Sequence, residues 1–83
     1  MIITSTQSFA SLVRTLRLSR NMTKVDFAAA VGKSPRWVHD VESGAKEPSL
    51  GAVLAVCAVF EQQLAIEPIP TDTVLDSILA DLQ

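Results

Sequence analysis

The 83-residue chain has one cysteine, one histidine and three glycines, and beyond Lys46 it has neither lysine nor arginine. Each scarcity excludes something. A lone Cys57 cannot close an internal disulfide, and one cysteine with one histidine cannot complete a zinc site. Lying inside an apolar run, Cys57 is expected to be a reduced, inert core thiol of a cytoplasmic protein. No glycine-rich loop is present to cradle a phosphate, and no metal-ligating cluster, so neither a cofactor nor a metal is expected. The most apolar run, "LGAVLAVCAVF" at residues 50–60, falls short of the roughly 20 residues that span a bilayer. The opening "MIITSTQSFASL" lacks the basic segment and sustained apolar stretch of a secretion signal. A cytoplasmic protein with no membrane partner is therefore expected.

What is present describes a small globular unit. The chain is 48% apolar and 19% charged, a balance that favours a folded domain over disorder. A single domain of this size buries only about 60% of the surface its unfolded chain exposes, so oligomerisation is an expected remedy. The net charge of −2 hides a partition. All seven basic residues lie in residues 1–46 with three acidic ones, giving +4; residues 47–83 carry six acidic residues and no basic one, giving −6. Such asymmetry points to a nucleic-acid-facing half and a half with another task, with chance partition as the plain alternative.

No internal repeat or low-complexity segment appears. From about Thr6 to Arg20, the residues Phe9, Leu12, Val13, Leu16 and Leu18 recur mostly at spacings of three and four, which predicts an amphipathic helix. Asn21 follows as a residue that tolerates the left-handed conformation of helix ends. Thr23 reads as the N-cap of a second helix, with Asp26 completing a weaker capping box and Phe27, Ala28 and Val31 facing inward. Gly32 ends it. Ser34 caps a third helix whose first position, Pro35, needs no amide hydrogen. That helix ends near Ser43-Gly44, and Ser49 caps a fourth, apolar nearly all round and hence expected to be central. In "QQLAIEPIP", Leu64, Ile66 and Pro68 alternate with Ala65, Glu67 and Ile69, which predicts a short edge strand at residues 62–70. A lone strand has no partner in its own chain, so pairing with a second copy through Leu64, Ile66 and Ile69 is expected. The tail, residues 71–83, reads as a short helix capped by Thr71 or Asp72, with an apolar stripe of Val74, Leu75, Ile78, Leu79 and Leu82.

The stretch "GKSPRWVHDVESG" at residues 32–44 carries the functional signal. Val38 and Val41 form a narrow inward stripe with Trp37 at its edge, while Arg36, Asp40 and Ser43 follow at i, i+4 and i+7 on the opposite side, with His39 adjacent. Two short helices joined by a glycine turn make a helix-turn-helix, whose second helix enters the DNA major groove. Ala28 supplies the small residue where the helices cross, and Gly32, four residues on, supplies the turn. Residues 12–60 resemble the Cro/C1-type (XRE) helix-turn-helix family through "MTKVDFAAAVGKSPRWVHDVESGAKEPSLGAVLAVCAVF". More narrowly, the passage from the last core helix straight into a strand, "SPRWVHDVESGAKEPSLGAVLAVCAVFEQQLAIEPI", resembles HipB-type antitoxins. In those, the strand builds a dimer lid, and the protein represses its own operon and binds a HipA-type kinase toxin.

The resemblance implies an all-α, lambda-repressor-like bundle of four to five helices at residues 6–61, with the strand pairing across a dimer. It implies phosphate contacts from Thr23 and Lys24, where Lys stands in place of the family's usual Gln. It places Ser34, Arg36, His39 and Asp40 toward the groove, with Pro35 limited to apolar contact. It also implies an ion pair between Arg17 and Glu42. Chemistry adds roles. Arg36 can address guanine O6 and N7 bidentately. Asp40 either accepts from cytosine N4 or holds Arg36 in place at i, i+4. His39 either donates to a base or phosphate or stays solvated, and Trp37 is a rim residue of the core or a phosphate donor. Lys33 and Lys46 are expected phosphate contacts that add affinity without sequence preference.

Catalysis is not expected. His39 and Asp40 are adjacent and so about 100° apart around a helix, and no nucleophile has a base at useful spacing. The expected function is a repressor that binds a palindromic operator as a homodimer, its recognition helices about 34 Å apart. The antitoxin of a HipA-like kinase operon is the specific form. A stand-alone repressor and a protein-interaction module on the same scaffold are the alternatives.

Overall fold

The computed structural model describes residues 2–69 and 78–82. Four helices follow one another: α1 (Thr6–Ser19), α2 (Lys24–Val31), α3 (Pro35–Glu42) and α4 (Leu50–Val59). A helical turn occupies 78–81. Each of α1 to α4 starts at a hydroxyl residue. Ser5, Thr23, Ser34 and Ser49 sit in extended backbone and accept from the amides of Ser8, Asp26, Trp37 and Ala52. At α1 and α2 the bond is reciprocated, because Ser8 and Asp26 accept from the cap amide. These caps satisfy amides that a helix start otherwise leaves unpaired.

The helix ends share one device as well. Asn21, Gly32, Gly44 and Glu61 take positive φ of 55°, 76°, 81° and 56°. The next amide then reaches back five residues: Met22 to the Arg17 carbonyl (3.1 Å), Lys33 to Ala28 (2.9 Å), Ala45 to Asp40 (2.9 Å) and Gln62 to Cys57 (2.8 Å). This is the Schellman closure, repeated four times. Two of the left-handed positions are glycine and one is asparagine. At Glu61 an ordinary side chain takes it, at a cost of about 1–2 kcal/mol.

The core is built from Phe9 and Val13 of α1, Phe27 and Ala28 of α2, Val38 and Val41 of α3, and Val56 with Phe60 at the end of α4. Phe27 and Phe60 stack with ring centroids 5.1 Å apart. α2 packs on α3 and on α4, and α1 packs on α3. Leu16, Met22, Val31, Trp37, Val53 and Val59 close over this core while remaining half-buried.

Three expectations are corrected. Leu18, placed in the inward stripe of α1, is 51% exposed. α4 is not central: Ala52 and Val56 are its buried residues, while Leu50 is 65% and Leu54 48% exposed. One side of α4 meets the other helices, and a domain this small has nothing left to cover the other side. Cys57, on that helix, is accordingly half-buried and not a core thiol. Outside these three, the strand expected at residues 62–70 is one that forms between two copies; in the single chain residues 62–69 form no strand, and Leu64, Ile66 and Ile69 are all exposed. A strand needs hydrogen-bonding neighbours, and no other strand exists among the described residues. The expected tail cap at Thr71 or Asp72, with Val74 and Leu75, lies outside the described residues; of the tail's stripe, Leu79 and Leu82 are exposed and Ile78 is half-buried.

One charged side chain belongs to the interior. Arg17 is 8% exposed, and its Nε and Nη2 donate to the two Glu42 carboxylate oxygens at 2.7 and 2.9 Å. Its Nη1 donates to the Met22 carbonyl at 2.9 Å. Arg17 and Glu42, the ion pair implied by the family resemblance, thus tie α1 to α3 and to the α1–α2 turn. The hydrogen bonds to Glu42 raise the Arg17 guanidinium above its ordinary value against the opposing effect of burial, and the Glu42 charge adds to the rise.

Removing one partner leaves the other charge buried alone, which costs about 3–5 kcal/mol. Glu42→Gln is therefore expected to lower the urea unfolding midpoint sharply. The double variant Arg17→Met, Glu42→Leu should lose far less, since both charges go together. Equal losses in the two variants would show that packing at this spot matters and the charge pairing does not.

Candidate nucleic-acid interface

α2 and α3 meet at a three-residue turn, Gly32-Lys33-Ser34. Gly32 takes φ 76°, and an added Cβ there would meet nothing within 4 Å. The glycine is thus required by backbone conformation and not by crowding. Ala28, 1% exposed, is the small residue at the α2 side of the crossing. Val38 and Val41, at 0% and 1% exposure, form the entire buried stripe of α3. Everything else on α3 is half-buried or open to solvent.

Arg36 stands out from this helix with its side chain 82% exposed. Its Nε donates to the Asp40 carboxylate at 3.1 and 3.4 Å, one turn further along. Asp40 is less open, at 27%. The geometry bears on the two roles left open for Asp40. The contact occupies Nε alone and leaves both terminal amino groups of Arg36 without a partner among the described residues. Those are the groups that a bidentate contact to a guanine edge uses.

The remaining expected residues fall in three places. Lys33, in the turn, lies over the Trp37 ring at 5.6 Å from the centroid, and Trp37 itself packs half-buried on the core edge. Thr23 and Ser34 spend their oxygen lone pairs on the caps of α2 and α3, which leaves each hydroxyl hydrogen available to a phosphate. Lys46 is exposed in the loop after α3, its amide bonded to the Asp40 carbonyl at 3.1 Å. Lys24 and His39 sit together, Nζ to Nδ1 at 3.1 Å, beside the buried ion pair. Sequence reading did not select Arg14, which lines the same polar cleft as Lys24 and His39. The signal existed: Arg14 precedes Arg17 by three residues and so shares its helix face. It also passed over Arg20, three residues after Arg17, whose Nη2 donates to the Phe60 carbonyl at 3.0 Å and whose guanidinium lies 5.7 Å from the Phe60 ring centre.

The described residues bring no three His, Cys, Asp or Glu side chains together as a metal site, and no described helix is long and apolar enough to cross a membrane. Two short helices at a glycine turn, the second buried along a valine stripe with Arg36 and His39 open to solvent, define a helix-turn-helix unit. The sequence model of a helix-turn-helix domain family, of the XRE-like type, matches residues 8–65 of the 83. The chain belongs to that family, whose members are sequence-specific DNA-binding regulators. No curated protein and no solved structure matches it.

The Arg36–Asp40 pair is exposed and local, a class worth only a few tenths of a kcal/mol. Asp40→Asn is therefore expected to change unfolding free energy by less than about 0.5 kcal/mol, measured by urea titration at low salt. A much larger loss would show that Asp40 supports the fold and not the orientation of Arg36.

Proposed function

We propose that this protein is a transcriptional repressor that binds a palindromic operator as a homodimer, and that it is the antitoxin of a HipA-like kinase operon which it autoregulates. The observation that carries the DNA-reading part is the α3 surface. Arg36 projects with its terminal amino groups unengaged, Asp40 steadies it, and Ser34 lies two residues earlier as the cap of the helix. Around that reading head, Thr23, Lys24, Lys33 and Lys46 supply backbone contacts, which fix register and orientation without reading sequence. His39 adds a further donor.

Support for the homodimer comes from apolar surface that one chain leaves open. Ile66 is 99% exposed, and Leu64 and Ile69 are half open beside it. The outward side of α4 adds Leu50 and Leu54. Contiguous exposed apolar surface on a small protein marks an interaction site, and strand pairing between two copies at residues 62–70 would satisfy the backbone there as well. The antitoxin part rests on the sequence resemblance of residues 34–69 to HipB-type proteins and on the acidic character of residues 47–83.

The decisive experiment selects duplexes from a random library with the full chain, then titrates salt against excess competitor DNA. The recovered site is expected to be palindromic, with half-site centres about one helical turn apart, and its binding to weaken steeply with salt. Arg36→Ala should cost about 1–3 kcal/mol of discrimination at one base position in each half-site. Ile66→Asp should leave a folded monomer that binds the palindrome far more weakly. Recovery of no preferred sequence would overturn the operator reading and favour a protein-interaction module.

The antitoxin reading is tested separately, by sequencing the genes beside this one and purifying any HipA-type kinase that they encode. Purified chain is expected to form a stable complex with that kinase and to suppress its phosphoryl transfer. Operator binding with no such complex would leave a stand-alone repressor.

A further inference from the structure

We propose that the cleft between α1, α2 and α3, lined by Arg14, Arg17, Lys24, His39, Glu42 and Ser43, is a proton-linked seat for a DNA backbone phosphate, with Lys24 and His39 as a pair that opens around it. The inference rests on the DNA-binding reading above and assigns the cleft a ligand and a regulation of its own.

The cleft encloses about 190 Å³ and draws its walls from three helices. Its single carboxylate is already committed, because both Glu42 oxygens accept from Arg17. The Ser43 hydroxyl donates to the Asp40 carbonyl at 3.1 Å. Arg14 and Lys24, by contrast, have no carboxylate partner among the described residues, whose ion pairs are Arg17–Glu42 and Arg36–Asp40. Lys24 instead lies 3.1 Å from His39 Nδ1. An ammonium group has hydrogens to donate and no lone pair, so Nδ1 must accept, and the imidazole in this contact is neutral with its hydrogen on Nε2.

Protonation of His39 removes that lone pair. Lys24 and His39 then both present donors and positive charge at contact distance, and the pair must separate unless an anion enters between them. A phosphate oxygen can accept from both, and Arg14, which lines the same cleft, adds positive charge there. The charged groups that face His39 are Arg14 and Arg17 from α1, Lys24 from α2, and Glu42 on its own helix. With Glu42 neutralised by Arg17, the surplus is positive. Phosphate binding and proton uptake at His39 therefore favour each other, and by linkage DNA affinity rises as pH falls. The cleft joins Lys24, the first residue of α2, to His39 of α3.

His39 is the sole histidine, so its ring proton gives an unambiguous NMR signal in the full-length protein. That signal is followed through pH in three conditions: alone, with a short duplex of random sequence, and with sulfate at matched ionic strength. Sulfate mimics phosphate but keeps its charge across the range. The titration midpoint of His39 is expected to move upward with either anion. Duplex affinity is expected to be roughly three- to tenfold higher at about pH 6 than at about pH 8. His39→Gln should bind equally at both pH values, and Arg14→Gln should reduce the salt slope by about one while leaving thermal unfolding unchanged.

A duplex that binds equally at both pH values, with the His39 midpoint unmoved, overturns the proposal and leaves the DNA-binding reading intact. A midpoint that moves with sulfate while no duplex binds at any pH keeps the anion seat and overturns its DNA ligand together with the functional reading. A midpoint unmoved by sulfate and no duplex binding overturn both.

Discussion

The Arg17–Glu42 pair is the constraint on which the reading surface depends. α3 has eight residues and buries only two valines completely, too little apolar area to fix its rotation about its own axis. A bidentate guanidinium–carboxylate contact is planar and directional. Joined at the last residue of α3, it sets that rotation, and the third Arg17 bond to Met22 fixes where the chain turns into α2. Buried ion pairs contribute little to net stability, because desolvation offsets their attraction, so the weight of this pair lies in its geometry. Here the geometry chosen is the one that turns Arg36 outward.

Arg17 is also the middle of a row. Arg14, Arg17 and Arg20 recur at three-residue spacing on α1, and each meets a different part of the molecule. Arg20 reaches the end of α4, bonding the Phe60 carbonyl and lying against its ring. Arg17 takes α3, and Arg14 opens into the cleft beside Lys24 and His39. The middle arginine of the row is buried, and the two that flank it are exposed. Arginine suits all three tasks because its five donors can be divided between backbone carbonyls, a carboxylate and an aromatic face.

Much of the fold was legible because it is written locally. Thr23, Ser34 and Ser49 cap the helices that their positions announce, and Asn21, Gly32 and Gly44 end them, since each signal acts within one turn of chain. Val38 and Val41 were legible as the α3 stripe for the same reason. Glu61 was not, because nothing in a glutamate marks a left-handed position; the closure of α4 imposes it. The place of α4 was misread for a different cause. Apolar composition reports what a helix can bury, not whether the chain has enough other surface to bury it, and Leu50 and Leu54 remain open. Of the candidate site, the α3 residues and the Arg17–Glu42 pair were readable through spacing and family resemblance. The meeting of Lys24 with His39, fifteen residues apart, was not, because it depends on how two helices cross.

The partition of charge gives these parts a common logic. A net charge of −2 would suggest weak attraction to DNA, yet fields in physiological salt fade over about 8 Å, so a phosphate approaching α3 senses the nearby charges and not the total. Near α3 those are Lys24, Lys33, Arg36, His39 and Lys46, with Asp40 and Glu42 each held by an arginine. From residue 47 onward the chain carries acidic groups only. The basic charges gathered near α3 attract an approaching duplex and orient the encounter before any base is touched. The partition also limits non-specific adhesion, because a protein that is basic over part of its surface has fewer ways to lie on DNA.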